Sequence, residues 1–118
     1  MIHPKWLERH YRHMKEALRG LELGDHPWAC YNAFVAVRSL ILGLLGRPPH
    51  SPTPSVEALP ALLKKLSPNP PEEVMRCARC LEKRLTDPKG EMCVKCADIL
   101  CDYLAKLVSP SLFEKFKF

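Results

Sequence analysis

DHPWACYNAFVAVRSLILGLLGRPPHS, residues 25–51, is an almost unbroken apolar segment with a punctuated start and stop. Asp25 can cap a first helical turn, and Pro27 falls where a missing N–H costs nothing. Gly46, Pro48 and Pro49 end the segment. Between them Trp28, Tyr31, Phe34, Val35, Val37, Leu40, Ile41, Leu44 and Leu45 leave no polar face. A helix that is apolar all round belongs at the centre of a bundle. At about 18 residues it approaches the length of a bilayer span. Asn32 and Arg38 lie inside it, however, and the flanking segments are amphipathic and able to cover it. A soluble bundle with no membrane span is therefore expected.

Working outward, Trp6, Leu7, Tyr11, Met14, Leu18 and Leu21 recur at three- and four-residue spacing and predict a helix from about Pro4 to Leu21. After RPPHSPTPS a short helix is expected from about Val56 to Leu66, capped by Ser55. A fourth runs from about Pro71 to Leu85 or Thr86 and a fifth from about Glu91 to Val108, with Asp87-Pro88-Lys89-Gly90 as the turn between them. Short connections make long helices antiparallel neighbours. The expected fold is all-α: an up-and-down antiparallel bundle of four main helices plus a short connecting helix. One domain is expected over residues 1–118, with a helical tail at 110–118.

Lys and Arg number 18 against 13 Asp and Glu, a net charge of +5 spread along the chain rather than gathered in one run. That permits nucleotide or nucleic-acid binding without requiring it. The first residues, MIHPKWLERHYRHMKEAL, are amphipathic and lack the apolar core of a signal peptide, so a cytoplasmic location is expected. Glutamine is absent, asparagine occurs only at 32 and 69, and 12 prolines stiffen the connections. Few thermolabile amides and proline-rich loops point to a thermophile.

The order of an amphipathic helix, then P-W-A-C-Y-N-A, a long apolar helix ending L-G-R-P-P-H, the short L-P-A-L-L-K-K-L and two further helices resembles the HEPN domain, over roughly residues 4–108. Trp28, Ala29, Cys30, Tyr31 and Ala33 match the segment that opens the family's second helix. Gly46, Pro48 and His50 match its Gly-x-Pro-x-His element. The resemblance implies a nucleotide- or RNA-binding bundle, a homodimer, and a nucleotidyltransferase-type partner in a toxin–antitoxin-like pair. Where the family often carries a polar Gln-x-Ala-x-Glu-Lys strip, this chain has Phe34-Val35-Ala36-Val37-Arg38-Ser39, in which only Arg38 is charged. Catalytic members carry an Arg followed by a His near the last helices, and no histidine follows His50 here. A non-catalytic member is implied; the alternative is a ribonuclease or nucleotide-processing enzyme of the same fold.

Six cysteines stand at 30, 77, 80, 93, 96 and 101. Cys77-Ala-Arg-Cys80 and Cys93-Val-Lys-Cys96 have the spacing of a four-thiolate zinc site, which makes a small zinc module an alternative. In a regular hairpin turning near Pro88, however, Cys77 and Cys93 are staggered by about 9 Å at helical rise, too far for one metal. The same register sets Cys80 against Cys96 and Cys77 near Cys101, so disulfides between the fourth and fifth helices are expected, with buried free thiols as the plain alternative. No cofactor is expected.

Arg38, inside the apolar helix, needs a partner: Glu16, Asp98 or Asp102 within the bundle, or a phosphate or partner protein. Arg47 and His50 can line a pocket mouth, or simply suit the negative end of the helix dipole. Arg9, Arg12 and His13 form a basic face on the first helix that is either solvated or available to phosphate. Phe113, Phe116 and Phe118 offer an apolar tail for a dimer contact.

Overall fold

Two glycines set the frame. Gly24 (φ 72°) and Gly46 (φ 74°) take the left-handed conformation that closes a helix at its C-terminus. The next residues close the turns: Asp25 N–H donates to Gly20 O (2.8 Å), and Arg47 N–H to Leu42 O (3.0 Å). The helices they end are α1 (Pro4–Glu22) and α2 (His26–Leu44). The Asp25 carboxylate accepts from Trp28 N–H at 3.1 Å, capping α2 as the sequence predicts.

The computed structural model describes residues 2–50 and 57–108. After α2 come α3 (Leu59–Leu66), α4 (Glu72–Glu82) and α5 (Gly90–Leu107). This is an all-α, up-and-down bundle of four main helices with one short connecting helix. α2 touches each of the other four helices, and Ala33, Val37, Leu40 and Ile41 are fully buried along it. Its composition would suit a membrane span, but 67% of that window is buried inside the bundle. α3 and α4 are shorter than predicted. Pro60 sits in the first turn of α3, which carries no side-chain cap of its own. Its Leu59 N–H is held instead by the Glu82 carboxylate at the end of α4 (2.6 Å). The predicted Ser55 cap and the tail with Phe113, Phe116 and Phe118 lie outside the described residues.

At two points only hydrogen fits. A Cβ on Gly20 would stand 2.9 Å from the backbone nitrogen of Ala29, and one on Gly43 would stand 2.9 Å from Trp6 Cβ. Small residues thus let α1 and α2 approach closely at both ends. At the bottom of the bundle His26 Nδ1 accepts from Gly90 N–H (3.0 Å), so the first turn of α2 caps the first turn of α5.

That contact brings Cys30 and Cys93 together, and they form a disulfide with Cα atoms 5.1 Å apart. A disulfide is present, but the expected pairs Cys80–Cys96 and Cys77–Cys101 do not form. Cys77, Cys80, Cys96 and Cys101 are free thiols. Cys96 does lie beside Cys80, but it also lies beside Cys77, which the register sets near Cys101; burial first and those two thiols second raise the Cys96 pKa. Cys101, five residues on, points to a different side of α5. There burial, then Asp98 and Asp102, push its thiol up to about 12. Zinc would need Cys93 together with Cys77, Cys80 and Cys96, and Cys93 is bonded to Cys30. Among the described residues no three His, Cys, Asp or Glu side chains are grouped to hold a metal ion.

Candidate functional site

Arg38 interrupts an apolar helix, and its guanidinium does not turn inward. Trp28, Tyr31, Val35 and Arg38 form the incompletely buried stripe of α2, repeating every three or four residues on one side of the helix. From that stripe Arg38 Nη1 donates to the backbone oxygen of Glu57 at 3.0 Å. None of Glu16, Asp98 and Asp102 is this acceptor. The residue just before α3 lies on the side of α2 to which Arg38 belongs.

Glu57 is the hub of the site. Its Oε1 accepts from Arg47 Nη2 at 2.9 Å, and its Oε2 is paired with Lys65 Nζ. The three cations come from three places: α2, the turn after it, and the last turn of α3. Each is positioned by its own local structure. Arg47 follows the left-handed Gly46, and its carbonyl accepts the Trp6 indole N–H at 2.6 Å, which ties the turn to α1. Lys65 rides on α3, whose Leu59, Leu62 and Leu63 are fully buried. The Lys65 and Arg47 hydrogen bonds hold the Glu57 carboxyl down at about 2, well below the usual carboxylate range. The side chains of Arg47, Glu57 and Lys65 are 36%, 28% and 49% exposed, so the cluster faces solvent.

Around this hub the sequence-predicted residues divide. Arg9 sets its guanidinium 4.9 Å from the centre of the Trp6 ring, the same indole that bonds the Arg47 carbonyl. His50 is exposed at the end of the stretch that carries Arg47. Arg12 is exposed on α1. His13 belongs elsewhere: its Nδ1 bonds Asn32 Oδ1 at 2.8 Å, and the Asn32 amide donates to Trp28 O at 2.9 Å. One member was missed. Arg84, just beyond α4, packs its guanidinium 3.5 Å from the ring centre of Phe34. Its Nε is buried without a hydrogen-bond partner among the described residues. Phe34 lies one turn before Arg38 on α2. The only advance sign of Arg84 was that a cation closes α4. Lys65 and Glu57 were missed too, since a short helix of the type LLKKL is ordinarily read as solvated at its lysines.

Chemically, the cluster sets two cations on one carboxylate and a third on the backbone oxygen of the same residue. Guanidinium groups suit bidentate binding of carboxylate or phosphate, and a lysine adds a point charge. No nucleophile or histidine base bonds to the hub among the contacts described. A second surface feature lies on the same stripe: Trp28 and Tyr31 stack with ring centres 5.9 Å apart, each 44% exposed. In comparisons with known proteins, no family model, no curated protein and no solved structure matches this chain.

Proposed function

We propose that this protein is a non-catalytic, HEPN-like helical binding protein that takes a phosphate-bearing ligand, a nucleotide or RNA, at Arg38, Arg47 and Lys65. The convergence of these three cations on one partly exposed residue, two on the Glu57 carboxylate and Arg38 on its backbone oxygen, carries the reading. Such a constellation holds an oxyanion. The absence of any histidine after His50 supports binding over the family's ribonuclease chemistry. A cytoplasmic, thermophilic setting goes with this reading, since intracellular proteins of hyperthermophiles carry disulfides such as the one joining α2 to α5.

The exposed Trp28–Tyr31 pair, with Leu18 and Leu23 also exposed near the α1–α2 turn, favours a second element of the same reading. These side chains supply an apolar contact for a second copy of the chain or for a nucleotidyltransferase-type partner.

The test is a titration of the full chain with ATP and with a short single-stranded RNA, followed by tryptophan fluorescence. Trp6 is bonded to Arg47 and reports on it directly. Arg47→Ala and Lys65→Ala are expected to weaken binding by about tenfold each, the effect of one charge-assisted hydrogen bond. Binding that is unchanged in both variants overturns the assignment.

A further inference from the structure

The anion in the cluster is the protein's own. We propose that the Glu57 carboxylate is a built-in stand-in for the terminal phosphate of a ligand, which must displace it to bind; this rests on the reading of Arg38, Arg47 and Lys65 as a phosphate site. Each carboxylate oxygen is taken by a different cation, Oε1 by Arg47 and Oε2 by Lys65, while Arg38 is directed at the Glu57 backbone oxygen. Three donors thus meet at Glu57, two of them on a carboxylate that has one charge to share between Arg47 and Lys65. A terminal phosphate offers three acceptor oxygens and about −1.5 to −2 charges at neutral pH, which matches the cluster better.

Glu57 is placed to leave. It precedes Ala58, the residue that caps α3, so its side chain can swing out without breaking a hydrogen bond within that helix. Its carboxylate is 28% exposed, and both side-chain partners reach solvent. The helices beneath are held independently: Glu82 caps α3, and Ser67 Oγ and Tyr103 Oη at 2.5 Å tie its far end to α5. Displacing the Glu57 side chain therefore frees two cations, Arg47 and Lys65, beside Arg38 on the backbone oxygen, and leaves the bundle standing.

The device selects. A phosphodiester linkage bears one negative charge, as the carboxylate does, and gains little by exchanging with it. A phosphomonoester carries nearly twice the charge. The ligand class is accordingly a terminal phosphate, on a mononucleotide or on the end of an RNA.

The experiment compares the full-length protein with Glu57→Gln, which keeps the shape and removes the charge. The probes are AMP, a short single-stranded RNA with a 5′-phosphate, and the same RNA with a 5′-hydroxyl. E57Q is expected to bind AMP or the phosphorylated RNA about tenfold more tightly than the parent protein, equivalent to one strong charge contact. A gain confined to one of those two probes identifies the source of the phosphate. The hydroxyl RNA is expected to gain less than threefold. If E57Q binds no more tightly while Arg47→Ala and Lys65→Ala still lose affinity, the stand-in is refuted and the site survives. If those two variants bind as the parent does, the site itself is refuted. An equal gain for the hydroxyl RNA overturns the preference for terminal phosphate. Should E57Q fail to fold, Glu57→Asp, with a shorter reach, replaces it: an intermediate gain sustains the proposal and no gain overturns it.

Discussion

His10 shows how much one buried side chain contributes beyond packing. Its Nδ1 lies 2.9 Å from the carbonyl oxygen of Ala36. A carbonyl can only accept, so Nδ1 carries the proton. Burial lowers the His10 pKa from its ordinary 6.5, against a smaller upward pull from the Ala36 bond. The unfolded chain therefore takes up a proton more readily than the folded one. Stability is complete above pH 6.5 and declines as the pH falls below it. Glu57, with its lowered carboxyl, adds to this loss only below its ordinary 4.5. Asp98, raised by burial and then by Asp102, acts in the opposite sense: its contribution is present below 3.8 and lost as pH rises. Melting curves at pH 7.5 and 5.5 should show a midpoint drop of roughly a few degrees for a domain of this size. His10→Gln, which can still donate to Ala36 but does not titrate, should flatten that drop; an equal drop in both proteins refutes the role of His10. Local chemistry of this grain was partly legible in the sequence. Asp25 and Gly46 declared themselves because a cap or a left-handed turn depends on neighbours in the chain. The partner of Arg38 did not, because Glu57 lies 19 positions away and reaches it only through the packing of α3.

At the scale of elements, the helices were readable and their mutual rotation was not. Periodicity places all five helices within a few residues, α3 and α4 excepted, where proline and the Glu82 cap set the ends. The α4–α5 register was sound for Cys80, which does meet Cys96, but Cys77 also meets Cys96 where Cys101 was expected. What register alone cannot supply is that Cys93, one turn before Cys96, faces α2. That follows from His26 capping α5, a contact across 64 positions. The disulfide closes a sequence separation of 63, for which the chain-entropy model gives about 4 kcal/mol. Unfolding in denaturant with an alkylating reagent should label four thiols without reductant and six with it, read by intact mass. Cys93→Ala should lower the urea midpoint by an amount comparable to reduction of the parent protein. Six labelled thiols without reductant would refute the link.

At the scale of the whole molecule, the net charge of +5 leaves both surface features able to act together. The α2 stripe runs from the stacked Trp28 and Tyr31 to Arg38 at the cation cluster, so an apolar contact and an anion contact share one side of the bundle. If the aromatic pair seats a second copy, Trp28→Ser combined with Tyr31→Ser should halve the mass measured by light scattering and leave the melting temperature nearly unchanged. An unaltered mass would remove that pair from any dimer contact. Arg47→Ala should leave the mass as it is, since Arg47 contacts Trp6 and Glu57 rather than the aromatic pair.

The Cys30–Cys93 link also gives the covalent structure a shape of its own. The backbone is a closed ring from 30 to 93 with two tails, one carrying α1 and the other most of α5. Arg38, Arg47, Glu57 and Lys65 all lie on the ring. A single peptide-bond cleavage anywhere within it, such as heat or a protease would cause, opens the ring but does not divide the molecule. The four groups of the Glu57 cluster then remain parts of one molecule, and the damage becomes visible as two fragments only when the sulfurs are reduced.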